Sequence, residues 1–218
     1  MTNDPIVLVI LLSLLSLLPV IFIMTTSFVK VAMVLILTRE SLGVQQVPPN
    51  IVLYGISLIL SFYVMGPIYK TGITSIVNDV SITQNTQNNL STLKNDFTPV
   101  ATQLKTFLTK HTSQPDRAFF YQSLQQFWDK DMMKDVSQTD LIILVPSFMV
   151  SEITQAFKIG FLIYLPSVII DIIVSNILMS IGMMMMSPVT ISLPIKLLLF
   201  VALDGWHRLI HVLLGSYI

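Results

Sequence analysis

The sequence predicts an all-α, membrane-associated protein made of long apolar helical hairpins with one small polar helical insert. Three observations lead there. Of 218 residues, 53% are hydrophobic and only 11% are charged, against roughly 25% charged in an ordinary soluble domain, so water cannot surround the chain on all sides. The apolar residues gather into Pro5 to Thr38, Ile51 to Tyr69 and Leu141 to Leu203, runs long enough to be helices in hydrocarbon. Most of the charge lies in Lys70 to Asp140, where apolar residues recur at helical spacing. The chain therefore divides into N-terminal apolar helices (1–69), a polar, mostly helical insert (70–140) and C-terminal apolar hairpins with a methionine-rich loop (141–218).

The first run, about 34 residues, is too long for one perpendicular span of roughly 30 Å. It carries Pro19 and Lys30, and a break is expected near Pro19, Thr25 or Thr26. Met1 to Asp4 is acidic where a signal peptide would be basic, and no small-residue cleavage pattern follows, so this end reads as uncleaved. The loop Arg39 to Asn50 carries Arg39, with Lys30 one segment earlier. By the positive-inside rule it faces the cytoplasm and the insert faces the opposite side. The second run, about 19 residues, reads as a single transmembrane helix.

Within the insert, Asn78 to Asn95 is rich in Asn, Gln, Ser and Thr and reads as a loose connector. Phe97, Val100, Ala101, Leu104, Phe107, Leu108 and His111 then follow helical spacing, with Thr98 as N-cap and Pro99 at the first helical position. A second helix is expected from Asp116, with Phe120, Leu124, Phe127 and Trp128 on one face. This hairpin would lay its greasy face on the membrane part or on a neighbouring subunit. The third apolar region is punctuated by Pro146, Gly160, Pro166, Gly182, Pro188 and Pro194. Two or three helices are expected there, with boundaries near Pro166 and Pro188.

Twelve basic and twelve acidic residues cancel, so no global field attracts nucleic acid. The absence of cysteine removes thiol nucleophiles, thiolate metal sites and iron–sulfur clusters together. No Gly-rich phosphate loop, H-E-x-x-H motif or serine elbow is present, so neither an enzyme nor a cofactor is expected. His207 and His211 stand four apart with Asp204 nearby, a common spacing that favours packing or an interface over a metal site.

Charges inside apolar helices are stronger candidates, because each costs about 2.5–3.5 kcal/mol at the centre of a lipid-facing span. Glu152, Lys158, Asp171, Lys196 and Asp204 therefore require partners or water. They line a path for a solute or ion, pair within an oligomer or sit at helix ends, and Lys158, just before Gly160, favours one of the latter two. Asp171, with Ser175 and Asn176 close by, suits a cavity or a hydrogen-bonded helix contact equally. The least ordinary feature is Met183, Met184, Met185 and Met186, fenced by Gly182 and Pro188. Four consecutive thioethers cover most of a helix's circumference at about 100° each, so no single packing face accounts for them. Methionine is unbranched and deformable, which suits a hydrophobic gasket; composition alone suits lipid-facing filler, and the fencing by Gly182 and Pro188, which places the run at a helix end or turn, favours the gasket.

Three blocks resemble the FliP/SctR (YscR, SpaP) export-gate family of bacterial type III secretion. They are SFVKVAMVLILTRESLGVQQVPPN (Ser27 to Asn50), PSFMVSEITQAFKIGFLIYLPSVIIDIIVSNIL (Pro146 to Leu178) and GMMMMSPVTISLPIKLLLFVALDGW (Gly182 to Trp206). Ser147 and Ser167 depart from the residues expected at those positions. The ending VALDGW and the short N-terminus look more like the virulence branch than the flagellar one. The resemblance implies a homo-pentamer that joins SctS-like and SctT-like subunits in a cone-shaped gate of the inner membrane, with a SctU-like switch protein as a further partner. It also implies that unfolded substrate proteins pass through the centre, past a gasket of Met183 to Met186. The insert would face the periplasm, and the gate would sit largely above the membrane plane. The competing reading is a secondary transporter or ion channel using Glu152, Asp171 and Lys196. It lacks the paired inverted repeats such proteins carry.

Overall fold

In the computed structural model, residues 5–44, 46–71, 73–74, 90–133, 136–183 and 185–218 are described. Among them the regular structure is entirely helical: α1 (Pro5–Thr25), α2 (Phe28–Ser41), α3 (Asn50–Val64), α4 (66–71), α5 (Leu90–His111), α6 (Gln114–Phe127), α7 (Lys130–Met133), α8 (Leu141–Ser180), α9 (Pro188–Ala202) and α10 (Gly205–Gly215). The all-α expectation holds. Met1 to Asp4, Met184 and the 78–89 part of the expected connector lie outside the described residues.

The first apolar run breaks where Thr25 and Thr26 were singled out: α1 runs through Pro19 and stops at Thr25, and α2 starts at Phe28. The Thr25 hydroxyl donates back to the Ile21 carbonyl one turn earlier at 2.8 Å, so its oxygen is satisfied within the helix. The second run is not one continuous span. α3 has 15 residues and ends at Val64, Met65 is a turn, and α4 follows. Gly66-Pro67 explains the break, since proline lacks the amide donor and restricts the residue before it. The Met65 carbonyl instead accepts the Ile68 and Tyr69 amides that open α4.

Two further expectations are corrected. α5 begins at Leu90, so Thr98 is not its N-cap and Pro99 lies inside it, and residues 90–95 are helix instead of connector. The apolar period already runs through Leu90, Leu93 and Phe97, which the polar residues between them disguise. α8 is one helix of 40 residues with no boundary at Pro166. A proline deletes one hydrogen bond of the ladder, and in a long apolar segment the remaining bonds carry the helix through. The boundary at Pro188 stands, as the first residue of α9. α6 starts at Gln114 with Ser113 as N-cap, whose hydroxyl accepts the Asp116 amide at 3.2 Å; Phe127 is exposed and Trp128 lies past the helix end.

The chain packs as two compact units, Met1–Val29 with Met65–Glu152, and Lys30–Val64 with Ile153–Ile218. In the first, Leu108 with its neighbours Leu104 and Phe107 packs against Leu144 and Phe148 of α8, so the insert's amphipathic helix has its partner in the chain itself. A polar clasp accompanies this core. The Asp116 carboxylate accepts from the Ser113 and Ser151 hydroxyls at 2.6 and 2.5 Å, and the Ser113 amide donates to Ser151 Oγ at 3.0 Å. In the second unit, Val31, Val34 and Leu35 of α2, Leu53 of α3, Ala156 of α8, and Leu209 and Leu213 of α10 form the core. Gly160 of α8 is there because a Cβ would strike the Leu37 side chain of α2.

α8 alone among the described helices is long and apolar enough to cross a membrane unaided. Leu15–Thr25 with Phe28–Ser41, and α9 with α10, pass the same test as interrupted pairs. α9 and α10 bend by 64° at Leu203-Asp204, where Asp204 adopts left-handed backbone (φ 52°). The Phe200 ring fills the place a Cβ of Gly205 would take and meets Trp206 edge-on at 5.3 Å.

Candidate functional site

The methionine run sits at the tip of the hairpin between α8 and α9, and backbone chemistry holds it there. α8 ends in a Schellman motif: the Met183 amide donates to the Leu178 carbonyl at 3.0 Å and the Gly182 amide to the Met179 carbonyl at 3.1 Å. The motif requires a left-handed residue, and Gly182 supplies it with φ 76°. On the far side Ser187 and Pro188 open α9, the proline at a position whose amide would be unpaired in any case. Between these fixed ends the Met186 amide returns to the Met183 carbonyl at 3.3 Å. Met183, Met185 and Met186 are all exposed, Met185 completely. Gly182 forms the turn and Pro188 opens α9, and the described thioethers of the loop are exposed.

Behind the tip, the hairpin is locked by charge. The Lys196 ammonium of α9 lies 2.6 Å from Asp171 Oδ2 of α8, and the Ser192 hydroxyl donates to Asp171 Oδ1 at 2.5 Å. Ser192 and Lys196 are four apart and share one face of α9, so a single carboxylate is grasped by two side chains at once. Gly182 follows Asp171 by eleven positions, which places this clasp roughly 16 Å along the helix from the turn. Lys196 is 4% exposed and Asp171 33%. Asp171 of α8 thus takes part in a hydrogen-bonded contact with α9.

The other charged candidates fall in different surroundings. Glu152 is fully buried on α8. Lys158 and Asp204 are exposed, so any burial of these two depends on other chains. Lys158 lies on the solvent side of an α8 turn whose Gly160 faces α2, and Asp204 marks the α9–α10 bend. The Asp204, His207 and His211 side chains are exposed, and among the described residues no group of three or more acidic or His side chains could hold a metal ion.

Sequence reasoning gave too little weight to Lys30 and Asp116. Lys30 is fully buried in the second unit, donating to Gln155 Oε1 at 3.0 Å and standing 3.6 Å over the Tyr217 ring. A lysine deep in an apolar run was the available signal. Asp116, read only as a helix start, holds the Ser113–Ser151 clasp of the first unit. No sequence signal linked it to a serine 35 residues away.

Comparison with known proteins follows this geometry. The FliP family pattern matches residues 11–213. The chain is 50% identical over 215 residues to "Yop proteins translocation protein R" of Yersinia pestis, covering 98% of this chain and 97% of that one. It is 41% identical over 219 residues to "Harpin secretion protein HrcR" of Erwinia amylovora, covering 99% and 97%. With "Virulence protein YscR" of Salmonella typhimurium it shares 41% over 215 residues, 99% of this chain and 98% of that one. The chain belongs to the FliP family, on its type III virulence branch, and is an inner-membrane component of a protein-secretion apparatus.

Proposed function

We propose that this chain is a core subunit of the type III secretion export gate, forming the path by which unfolded proteins cross the inner membrane. Five copies join SctS-like and SctT-like subunits, with the SctU-like switch protein as a further partner and the 70–140 insert on the periplasmic side. Met183 to Met186 form the gasket that closes the path between substrates. One observation carries this reading: a hairpin tip that is fixed at both ends, by the Gly182 turn and the Ser187-Pro188 helix start, holds exposed thioethers between them. Flexible, unbranched side chains on a fixed backbone can fill an irregular central gap and part as a chain passes. A constriction of this kind excludes ions by staying dry.

The transporter reading draws less support. It needs Asp171 free to bind a coupling ion, whereas that carboxylate is already engaged by Lys196 and Ser192. The deciding experiment is ion conductance of the assembled gate in a planar bilayer. Replacing Met183, Met184, Met185 and Met186 together by alanine should raise the leak several-fold while the complex still assembles. Unchanged conductance in a complex of confirmed composition would reject the gasket.

A further inference from the structure

The turn between α2 and α3 holds a site that the export reading does not use. A pocket of about 450 Å³ opens there, lined by Arg39, Gln46, Pro49 and Asn50. Arg39 is 9% exposed. Its Nη1 donates to the Pro48 carbonyl at 3.1 Å and to Asn50 Oδ1 at 2.6 Å. Its Nε is buried without an acceptor, and both of the hydrogen bonds the guanidinium makes leave from Nη1. Both acceptors are neutral. Glu40, the adjacent carboxylate, is exposed on another face of α2. A buried guanidinium without a counter-ion is costly.

A second positive source meets it. Pro49 is the N-cap of α3, its carbonyl accepting the Val52 amide at 3.0 Å and the Leu53 amide at 3.3 Å. Proline has no side-chain acceptor to cap the first turn, and the Asn50 side chain is committed to Arg39. The first turn of α3 therefore has no side-chain cap, and the positive end of its dipole stands at the pocket that Pro49 and Asn50 line. Two cationic elements converge on one cavity, and no carboxylate among the described residues pairs with Arg39. Among the described residues nothing supplies the missing negative charge.

The surroundings select its kind. The pocket lies where apolar α2 ends and apolar α3 begins. Beside it Val47, Ile51 and Val52 are exposed, followed along α3 by Leu58 and Ile59. An anion that brings its own apolar body matches both features. We propose that this pocket binds the phosphate of an anionic phospholipid, with the acyl chains lying on the exposed face of α3. This inference is independent of the gasket and of the pore.

The test is native mass spectrometry of the purified full-length chain in detergent, titrated in separate arms with phosphatidylglycerol, phosphatidylcholine and inorganic phosphate. Wild type should retain phosphatidylglycerol about five-fold better than phosphatidylcholine, the scale expected for one cationic site at a membrane surface. Gln46→Glu places a carboxylate on the exposed rim of the pocket and should erase that preference without changing helicity or thermal unfolding. Gln46→Lys should strengthen it, and Arg39→Gln should abolish it. Because Arg39 also holds the turn, the rim variants keep the test valid if Arg39→Gln fails to fold. Equal retention of both lipids, or full retention in Gln46→Glu, would overturn the proposal. Displacement of phosphatidylglycerol by equimolar inorganic phosphate would assign the site to a free anion and overturn it too. So would a Gln46→Glu variant that binds lipid normally but no longer joins its partner subunits, which would assign the pocket to a protein carboxylate.

Discussion

Lys196 shows what a single side chain contributes here. At 4% exposure it is nearly out of contact with water, and its charge is tolerable because Asp171 stands 2.6 Å away with Ser192 completing the carboxylate's bonds. Lys196→Met alone leaves Asp171 without its counter-ion. Breaking a fully buried pair costs about 3–5 kcal/mol; with Asp171 33% exposed, a loss of about 2–3 kcal/mol is expected after allowing for solvent screening. Thermal unfolding in detergent should show it, and the double variant Asp171→Asn, Lys196→Met should recover most of the loss. A double variant as unstable as the single one would mean that the ion pair has no role of its own beyond packing. The buried Lys30 ammonium stands over the Tyr217 ring and donates to the Gln155 amide oxygen.

At the scale of elements, the two ends of α8 are built by different means. The C-terminal end is a backbone device, the Schellman turn at Gly182. The N-terminal end rests on Asp140, whose carbonyl accepts the Ile143 and Leu144 amides at 2.9 and 2.8 Å. Its carboxylate accepts the Ser137 amide at 2.8 Å and pairs with Lys105 of α5 at 3.2 Å. The Ser137 amide first, and the Lys105 ammonium after it, hold this carboxyl below the usual carboxylate range. A depressed folded pKa contributes stability that is present above the unfolded value near 3.9 and is lost as pH falls through the folded one. Asp140→Asn keeps a good N-cap while removing the charge. It should destabilise the chain at pH 7 by at most about 1 kcal/mol, since both partners are partly exposed. The gap between wild type and variant should begin to shrink as pH falls toward the unfolded value and close as the depressed folded carboxyl takes up its proton. A gap that stays constant as pH falls through the acid range would exclude the ionic contribution.

The whole molecule exposes more apolar surface than a monomer in water can carry. Phe157, Phe161 and Leu162, with Ile169, Ile172 and Ile173 beyond them, are exposed along α8, and α1 and α3 add similar faces. Contiguous apolar surface on this scale is covered either by lipid or by other chains. The export-gate reading predicts other chains for much of it. Native mass measurement of the detergent-extracted protein should give a homo-pentamer that takes up SctS-like and SctT-like partners; a monomer indifferent to both would count against the gate. In the same measurement, removing the charge of Glu152 or Lys158 should lower complex yield, and full yield from both variants would free them of an assembly role.

The helical class, the apolar runs, the break at Thr25 and Thr26, the methionine tip and the α9 start at Pro188 were legible in the sequence. All of these are local: composition, period and backbone chemistry act within a few residues of one another. The family was legible for a different reason, because its blocks are long and collinear. The continuity of α8 through Pro166 and the early start of α5 were not. One missing hydrogen bond or a polar stretch is overruled when the remaining ladder and the packing face hold. Tertiary structure alone decided which charges meet. Asp171 with Lys196, Lys30 with Gln155 and Tyr217, and Asp116 with Ser151 are pairings across 25 to 187 positions. A buried charge must find a partner somewhere in the fold, and only the packing of helices determines which partner comes within reach.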